Sequence, residues 1–269
     1  MKNIIKIMSL NIGNPSEKRV KEQIRWIESR DEDVFLLTET KNSKGCNLLE
    51  SYFLDFGYNL FNTGTHAKYY VSFPKSVTND LGVMCISKLP IEKMSHYIPQ
   101  GNQYYARLLE VNIFRGVRKM HVVGVYVPSR DKSEEKIRRK KVFLDILSSR
   151  IKKIQQLPCI ICGDFNIVDR NHIPKYNTYM DWEYDFYEHL LQLGYIDAFK
   201  MCHPSQNEYS WVGRTSNGYR YDYFFVSQDL AENIKDCYFV HETRKLKLTD
   251  HSAIVLEVKS ENASNGIID

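Results

Sequence analysis

The sequence lacks the long apolar runs and leader features of membrane or secreted proteins. No apolar stretch approaches the roughly 18 residues that a membrane-spanning helix requires. The first ten residues are interrupted by Lys6, and no small-residue cleavage site follows them, so they do not match a signal peptide. We therefore expect a soluble, cytoplasmic protein with no membrane partner.

The sequence also lacks the cysteine spacing of a disulfide framework, although it contains 6 cysteines. Cys159 and Cys162 form a C-x-x-C motif. On a strand this odd spacing directs the two thiols to opposite faces, which argues against joint metal ligation. We expect buried, reduced cysteines of an intracellular protein.

No internal repeat, low-complexity segment or interdomain linker interrupts the 269 residues. With 43% hydrophobic and 13% aromatic residues, the chain can bury a substantial core. We predict one domain over residues 1–260 with a flexible tail at 261–269, and a monomer. The net charge of +4 permits a polyanionic partner without requiring one.

Hydrophobic periodicity predicts interleaved strands and helices. Apolar runs predict strands at 4–10, 34–38, 81–87, 107–113, 119–127, 158–162, 221–227 and 252–258. Helices are predicted after Ser16 and over 134–154 and 182–193, whereas 62–80 lacks periodicity and suggests a mobile loop beside the site. So many strands require two sheets, which indicates one α/β (α+β) domain.

The stretch from Pro158 to Asn166 combines a buried strand with two polar side chains. Gly163 lets the backbone turn where the strand leaves the sheet. Asp164 and Asn166 share a parity, so both enter one cleft if the chain stays extended. The alternative is an ordinary Asp/Asn turn.

Other strand-like runs also carry a polar residue at one end. Asn11, Glu39 and Tyr126 lie at the C-terminal ends of their strands, whereas Asp222 and the pair Asp250-His251 lie at N-terminal starts. In a mixed sheet these ends share one rim. Clustered carboxylates favour a hard divalent cation such as Mg²⁺, and a histidine beside an aspartate can stabilise a phosphate under attack. Each residue alone also fits a cap, a strand edge or a turn.

In this arrangement the chain resembles the endonuclease/exonuclease/phosphatase superfamily, and within it the exonuclease III-like branch of abasic-site endonucleases. The matching motifs are Ser9-Leu-Asn11, Leu36-Leu-Thr-Glu39-Thr-Lys41, Gly82-Val83 through Ser87-Lys-Leu-Pro90, Tyr126-Val-Pro128, Gly163-Asp-Phe-Asn166, Ser210-Trp211, Gly218-Tyr-Arg-Tyr-Asp222-Tyr223 and Thr249-Asp-His251. The resemblance implies a four-layer sandwich of two packed mixed β-sheets flanked by helices.

The resemblance also implies Mg²⁺, with Mn²⁺ as a substitute, and in-line hydrolysis of a phosphodiester to a 3′-hydroxyl and a 5′-phosphate. In the implied roles Glu39 and Asp250 hold the metal, Asp164 and Asn166 position the attacking water, His251 contacts the phosphate, Asp222 holds His251, and Asn11 and Tyr126 complete the phosphate shell.

For the substrate, the resemblance implies duplex DNA recognised through backbone and shape. Ser210, Trp211, Tyr219 and Tyr221 would line a pocket for an extrahelical abasic sugar, and Lys41, Arg130 or Lys175 would contact phosphates. The alternatives are core packing for the aromatic residues, RNA or a small phosphoester as substrate, and an inactive binding scaffold.

Three positions depart from the family pattern. Thr38 replaces the usual Gln before the metal-binding Glu, and Gly13 replaces an Asn or Asp near the secondary metal site. Tyr105-Ala106-Arg107 replaces a Glu-Gly-Arg in a middle strand. These changes predict a looser metal site that keeps its principal ligand.

Overall fold

A computed structural model describes residues 4–59, 69–116, 118–213 and 215–259. Two six-stranded sheets dominate this part of the chain, in the orders β13-β14-β1-β2-β4-β3 and β5-β6-β7-β8-β12-β9. The first sheet contains β1 (Ile4–Asn11), β2 (Val34–Thr40), β3 (Tyr70–Ser72), β4 (Gly82–Ser87), β13 (Ile234–Val240) and β14 (Ala253–Lys259). The second contains β5 (Ile91–Lys93), β6 (Leu108–Arg115), β7 (Arg118–Tyr126), β8 (Cys159–Asp164), β9 (Tyr195–Asp197) and β12 (Asp222–Ser227).

Both sheets are mixed, because β1–β2 and β7–β8 are parallel while the other pairs are antiparallel. A two-stranded ribbon, β10 (Trp211–Val212) and β11 (Gly218–Tyr219), stands apart from them. The helices are α1 (Glu17–Glu28), α2 (Lys44–Asn59), α3 (Glu134–Ile154), α4 (Asp181–Gln192), α5 (Ala198–Cys202) and α6 (Glu242–Lys245). No helix in the described ranges is both long and apolar enough to span a bilayer.

Three apolar clusters join these elements into four layers. The central cluster fills the space between the sheets, with residues such as Leu36 and Ile160. A second cluster packs α1 and α2 on the first sheet, and a third packs α3 and α4 on the second sheet. The predicted four-layer sandwich of two mixed sheets flanked by helices is therefore confirmed.

Strand β8 shows how the sequence pattern produces this packing. Cys162 points into the cluster between the sheets, whereas Cys159 points into the cluster under α3 and α4. The opposite faces predicted for the C-x-x-C motif are confirmed, and all six cysteines are free thiols. Gly163 has φ of +142°, and a Cβ there would lie 1.9 Å from the Val125 carbonyl oxygen, so only glycine fits where β8 passes β7.

The structure corrects several boundaries. Helix α2 was not predicted, although Cys46, Leu49 and Phe53 recur at helical spacing and are buried. Gly45 and the aromatic residues weaken its intrinsic propensity, and packing against α1 stabilises it instead. Strand β3 lies inside the segment predicted as a loop, because its backbone pairs with β4. Residues 62–68 of that segment and the predicted tail at 261–269 lie outside the described residues.

Candidate active site

The ends of strands from both sheets meet at one rim of the sandwich. The first sheet supplies Asn11, which ends β1, and Glu39, near the end of β2. The second sheet supplies Tyr126, Asp164 and Asp222 in register, because Asp164 pairs with Tyr126 on one side and Asp222 on the other. The strand ends therefore converge as the sequence indicated, although they come from two sheets rather than one.

Asp164 occupies the centre of the site and is 1% exposed. The Asn11 side-chain amide donates to its Oδ2 at 2.9 Å, and the Asn166 backbone N–H donates to its Oδ1 at 2.9 Å. Burial, followed by the repulsion from Asp222, raises the pKa of Asp164 to about 8. The carboxyl group is therefore fixed in orientation and more basic than an exposed aspartate.

His251 and Asp222 form a buried pair beside Asp164. The Nδ1 atom of His251 lies 2.8 Å from Oδ2 of Asp222, which is fully buried. Burial by itself lowers the pKa of His251, but the Asp222 charge and hydrogen bond raise it to about 9. Because Nδ1 is engaged, Nε2 remains for a substrate oxygen.

Glu39 and Tyr126 form a second pair at the rim. Glu39 has φ of +54° at an irregularity in β2, where the register shifts between Thr38 and Thr40. This local turn directs its carboxylate to the Tyr126 hydroxyl, which donates to Oε1 at 2.8 Å. Burial, followed by the charge of Glu39, raises the pKa of Tyr126 far above its usual value, so the phenol remains a donor.

Asp250 lies at the edge of the same site and is exposed. The Trp211 indole N–H donates to its Oδ2 at 2.8 Å, and the Thr249 hydroxyl, which donates to the Asn11 carbonyl at 2.8 Å, lies 3.4 Å from its Oδ1. Asp250 and Glu39 both line the cleft described next, so two carboxylates face the same space. Oxygen donors of this kind suit a hard divalent cation.

A cleft of about 420 Å³ opens over these groups. Asp164 and His251 lie on its surface, and its wall includes Trp211, Tyr219 and Tyr221. The Tyr219 and Tyr221 rings stack with centroids 5.1 Å apart, and Trp211 lies 5.6 Å from Tyr219. The three predicted aromatic residues therefore meet at the cleft.

Three predicted catalytic residues do not line the cleft themselves. Asn11 is fully buried, and its Oδ1 accepts the Gly13 backbone N–H at 2.9 Å while its amide binds Asp164. Tyr126 contacts Glu39, and Asp222 contacts His251, and both of these partners line the cleft. In this geometry the Asn11 amide binds Asp164 and the Tyr126 hydroxyl binds Glu39, so direct phosphate contacts by Asn11 and Tyr126 stay a prediction.

The structure also corrects Asn166. Its φ of +49° ends the extended backbone that the shared parity required. Its side-chain amide donates to the Val127 carbonyl at 3.0 Å, and its backbone N–H closes an Asp/Asn turn on Asp164. Asn166 lines the cleft, but its amide group positions the loop.

Two predicted substrate contacts lie away from the cleft. Ser210 is fully buried, and its Oγ accepts the Tyr221 and Asp222 backbone N–H groups at 2.9 and 3.1 Å. It therefore holds the backbone behind the cleft wall. Lys41 is not among the lining residues, because the chain turns after β2 towards α2, with the Ser43 N–H bonded to the Lys41 carbonyl.

The other two residues predicted to contact phosphates, Arg130 and Lys175, bind groups of the protein itself. Arg130 lines the cleft, but its guanidinium binds Glu183 and the Thr178 carbonyl. Lys175 directs its ammonium to the Arg170 carbonyl. The Arg130 contacts join segments about 50 residues apart, whereas the Lys175 contact is local, and the basic pattern of the sequence indicated neither.

Sequence reasoning missed two residues that organise the site. Lys140 is 1% exposed, and its Nζ donates at 2.6 Å both to the Asn166 carbonyl and to Glu183. It lies on the apolar face of α3 with Phe143, Leu144 and Leu147. A lysine among apolar residues at helical spacing is the sequence feature that could have indicated this buried role.

Arg220 was part of a quoted motif but had no assigned role. Its guanidinium is buried and binds Asp197 at 2.6 Å and Asp169 at 3.0 Å. These ion pairs fix the start of β12, and therefore Asp222, to β9 and to the segment that follows β8.

This fold and site define a class of metal-associated phosphoester hydrolases built as two-sheet sandwiches. The chain belongs to the Endonuclease/Exonuclease/phosphatase family, whose sequence model matches residues 8–251.

Relatives and solved structures agree with this family. An exodeoxyribonuclease of Bacillus subtilis (strain 168) is 26% identical over 252 residues, which cover 86% of this chain and 92% of that protein. A DNA-(apurinic or apyrimidinic site) endonuclease of Dictyostelium discoideum is 26% identical over 280 residues, which cover 94% of this chain and 70% of that protein. The structure of an AP endonuclease from Archaeoglobus fulgidus superposes with a TM-score of 0.78 at 23% identity, covering 96% of this chain and all of that one.

Proposed function

We propose that this protein is a divalent-metal-dependent phosphodiesterase that hydrolyses the DNA backbone. It incises DNA at abasic sites and degrades duplex ends in the 3′-to-5′ direction, leaving a 3′-hydroxyl and a 5′-phosphate. The observation that carries the proposal is the buried Asp164 beside the His251–Asp222 pair, under an aromatic-walled cleft. The names of the Bacillus subtilis and Dictyostelium discoideum relatives support DNA as the substrate.

Asp164 orients the attacking water and accepts its proton. A general base works best when its pKa lies near the working pH, and the pKa of Asp164 is raised to about 8. Asn11 and the Asn166 backbone N–H hold its two oxygens, so the carboxyl group needs little rearrangement before reaction.

His251 binds the scissile phosphate through Nε2 and stabilises the charge that develops there. Asp222 fixes the ring through Nδ1 and favours the protonated imidazole. Tyr126 and Asn11 act as positioning residues, since each contacts a residue of the cleft rather than the cleft itself.

Glu39 and Asp250 would hold Mg²⁺, with Mn²⁺ as a substitute. The residues fit this ion, because two carboxylates face one cleft and the second Glu39 oxygen has no hydrogen-bond partner in the described part of the chain. The ion, when bound, supplies positive charge to the phosphate and the leaving oxygen.

The alternative metal site is less suitable. Asp164, Asp222 and His251 can place one ligand atom each within 4.8 Å of one another. A metal bound through Nδ1 would have to displace the Asp222–His251 hydrogen bond.

The two positions that depart from the family pattern near the metal add no ligand, because Thr38 is buried and Gly13 has no side chain. This supports the looser metal site expected from the sequence.

The substrate assignment is tested on four nucleic acids in parallel. The purified protein with Mg²⁺ is incubated with abasic duplex, intact duplex, single-stranded DNA and RNA, and the termini of the products are identified. We expect the fastest cleavage on the abasic duplex and slower 3′-to-5′ degradation of intact duplex. A preference for RNA, or equal rates on abasic and intact duplexes, would overturn the repair assignment.

The metal assignment is tested with the same substrates. We expect a chelator to abolish activity and added Mg²⁺ or Mn²⁺ to restore it. Full activity in excess chelator would exclude a metal-dependent reaction.

We also propose that the protein is a monomer in the cytoplasm and that it recognises the backbone and shape of duplex DNA. Sedimentation of the free and DNA-bound protein tests whether it is a monomer.

A further inference from the structure

Two tyrosine hydroxyls meet at the wall of the cleft. Tyr179 comes from the segment between β8 and α4, and Tyr221 comes from the residue before β12. Their oxygens are in hydrogen-bond contact, and both residues line the cleft that contains Asp164 and His251. The family motif in the sequence predicted that Tyr221 lines the pocket, but no sequence feature indicated Tyr179.

Aromatic stacking and backbone hydrogen bonds hold this pair in place. Tyr219 lies between Tyr176 and Tyr221, with ring centroids 4.2 and 5.1 Å away and interplanar angles of 20° and 19°. The Tyr221 backbone N–H is fixed by Ser210. A phenol has only two side-chain torsions, so a stacked ring presents its hydroxyl with little loss of entropy.

The pair retains hydrogen-bonding capacity on the cleft side. Burial raises the pKa of both phenols, so both remain protonated at neutral pH. Two hydroxyls carry two protons, and their mutual hydrogen bond uses only one of them. Within the described ranges neither oxygen has another partner, so one O–H donor and several lone pairs are available to a ligand.

We propose that Tyr179 and Tyr221 recognise the C1′ hydroxyl of an abasic deoxyribose. The inference rests on the proposed function and identifies the hydroxyl group of the substrate that this wall of the cleft would bind. Loss of a base leaves a hydroxyl at C1′, and a hydroxyl buried without a partner is costly. The tyrosine pair offers that hydroxyl both a donor and an acceptor, which a wall of apolar side chains does not.

The test compares a natural abasic duplex with a duplex carrying tetrahydrofuran, which lacks the C1′ hydroxyl. The readout is the ratio of kcat/KM for the two substrates in the wild type, Tyr179→Phe, Tyr221→Phe and the double variant. One neutral hydrogen bond predicts a ratio of about three to ten in favour of the natural site. The double variant should bring the ratio close to one, whereas each single variant keeps one phenol that can still donate and accept, and should retain part of the preference.

Tyr176→Phe is the matched control. Its hydroxyl donates to the Gly218 carbonyl at 2.9 Å and Tyr176 does not line the cleft, so its ratio should equal that of the wild type. Thermal unfolding of all variants checks that the ring stacking is retained.

The outcomes separate the two hypotheses. Equal cleavage of both duplexes by the wild type, or a ratio that survives in the double variant, would overturn the C1′ assignment and leave the proposed function intact. Failure of the wild type to cut either duplex would overturn both.

Discussion

Replacing Asp222 by Asn removes one charge from the His251 pair and keeps the size of the side chain. Asp222 is fully buried, and its Oδ1 has no hydrogen-bond partner in the described part of the chain. The pair raises the pKa of His251 to about 9, from an ordinary value of 6.5. In the variant the charges of Asp164 and Asp250 are the remaining opposition to burial, so we expect the pKa of His251 to fall towards its ordinary value of 6.5.

A shift of this size corresponds to roughly 3 kcal/mol in the preference of the site for the imidazolium. If the transition state lost all of this electrostatic stabilisation, turnover would fall by about 10²- to 10³-fold. In the wild type the raised pKa contributes stability that is fully present below about pH 6.5 and is lost as the pH rises through about 9. This part of the pH dependence of unfolding should disappear in the variant.

The assay has two readouts. The titration of the His251 ring is followed by NMR in the metal-free protein, and kcat/KM is measured with Mg²⁺ on abasic duplex. Asp236→Asn is the matched control, because Asp236 forms a similar 2.8 Å pair with His203 at the surface, away from the cleft. An unchanged His251 titration, or full turnover of Asp222→Asn, would refute the role given to the pair.

Five further substitutions test the remaining assignments. Asp164→Asn and His251→Ala should each lower kcat by at least about 10²-fold with unchanged circular dichroism, and normal turnover in either would remove this mechanism. Glu39→Gln should raise the Mg²⁺ concentration for half-maximal activity in a metal titration, and an unchanged titration would count against Glu39 as a ligand. Trp211→Ala should reduce abasic incision more than degradation of intact ends, whereas equal losses would assign Trp211 to general packing. Lys140→Met should lower the free energy of unfolding by about 1–3 kcal/mol, because the buried Glu183 and the Asn166 carbonyl lose a charged donor while Arg130 still pairs with Glu183. Urea denaturation measures this loss, and an unchanged free energy of unfolding would contradict it.

The sequence by itself determined where the strands end and which polar residues stand there. Strand β1 reaches Asn11, β8 reaches Asp164 and β12 starts at Asp222, as the apolar runs indicated. Helix α3 has the predicted bounds Glu134–Ile154. These features depend on neighbouring residues, since side chains alternate between the two faces of a strand and a polar residue marks the point where an apolar run ends.

Only the tertiary structure decided what each polar side chain does. Asn11 and Asp164 are 153 residues apart and lie in different sheets, yet they share a hydrogen bond of 2.9 Å. Ser210 is buried under the cleft wall, and Arg130 is bound by Glu183, although both looked like substrate contacts in the sequence.

The physical reason is that a hydrogen bond or ion pair depends on the distance between atoms, whereas a sequence pattern records only the spacing along the chain. The Tyr179–Tyr221 pair shows the difference, because its two residues are 42 positions apart and meet only when the segment before α4 folds against the start of β12. The sequence therefore determined which groups reach the rim, and folding determined their partners.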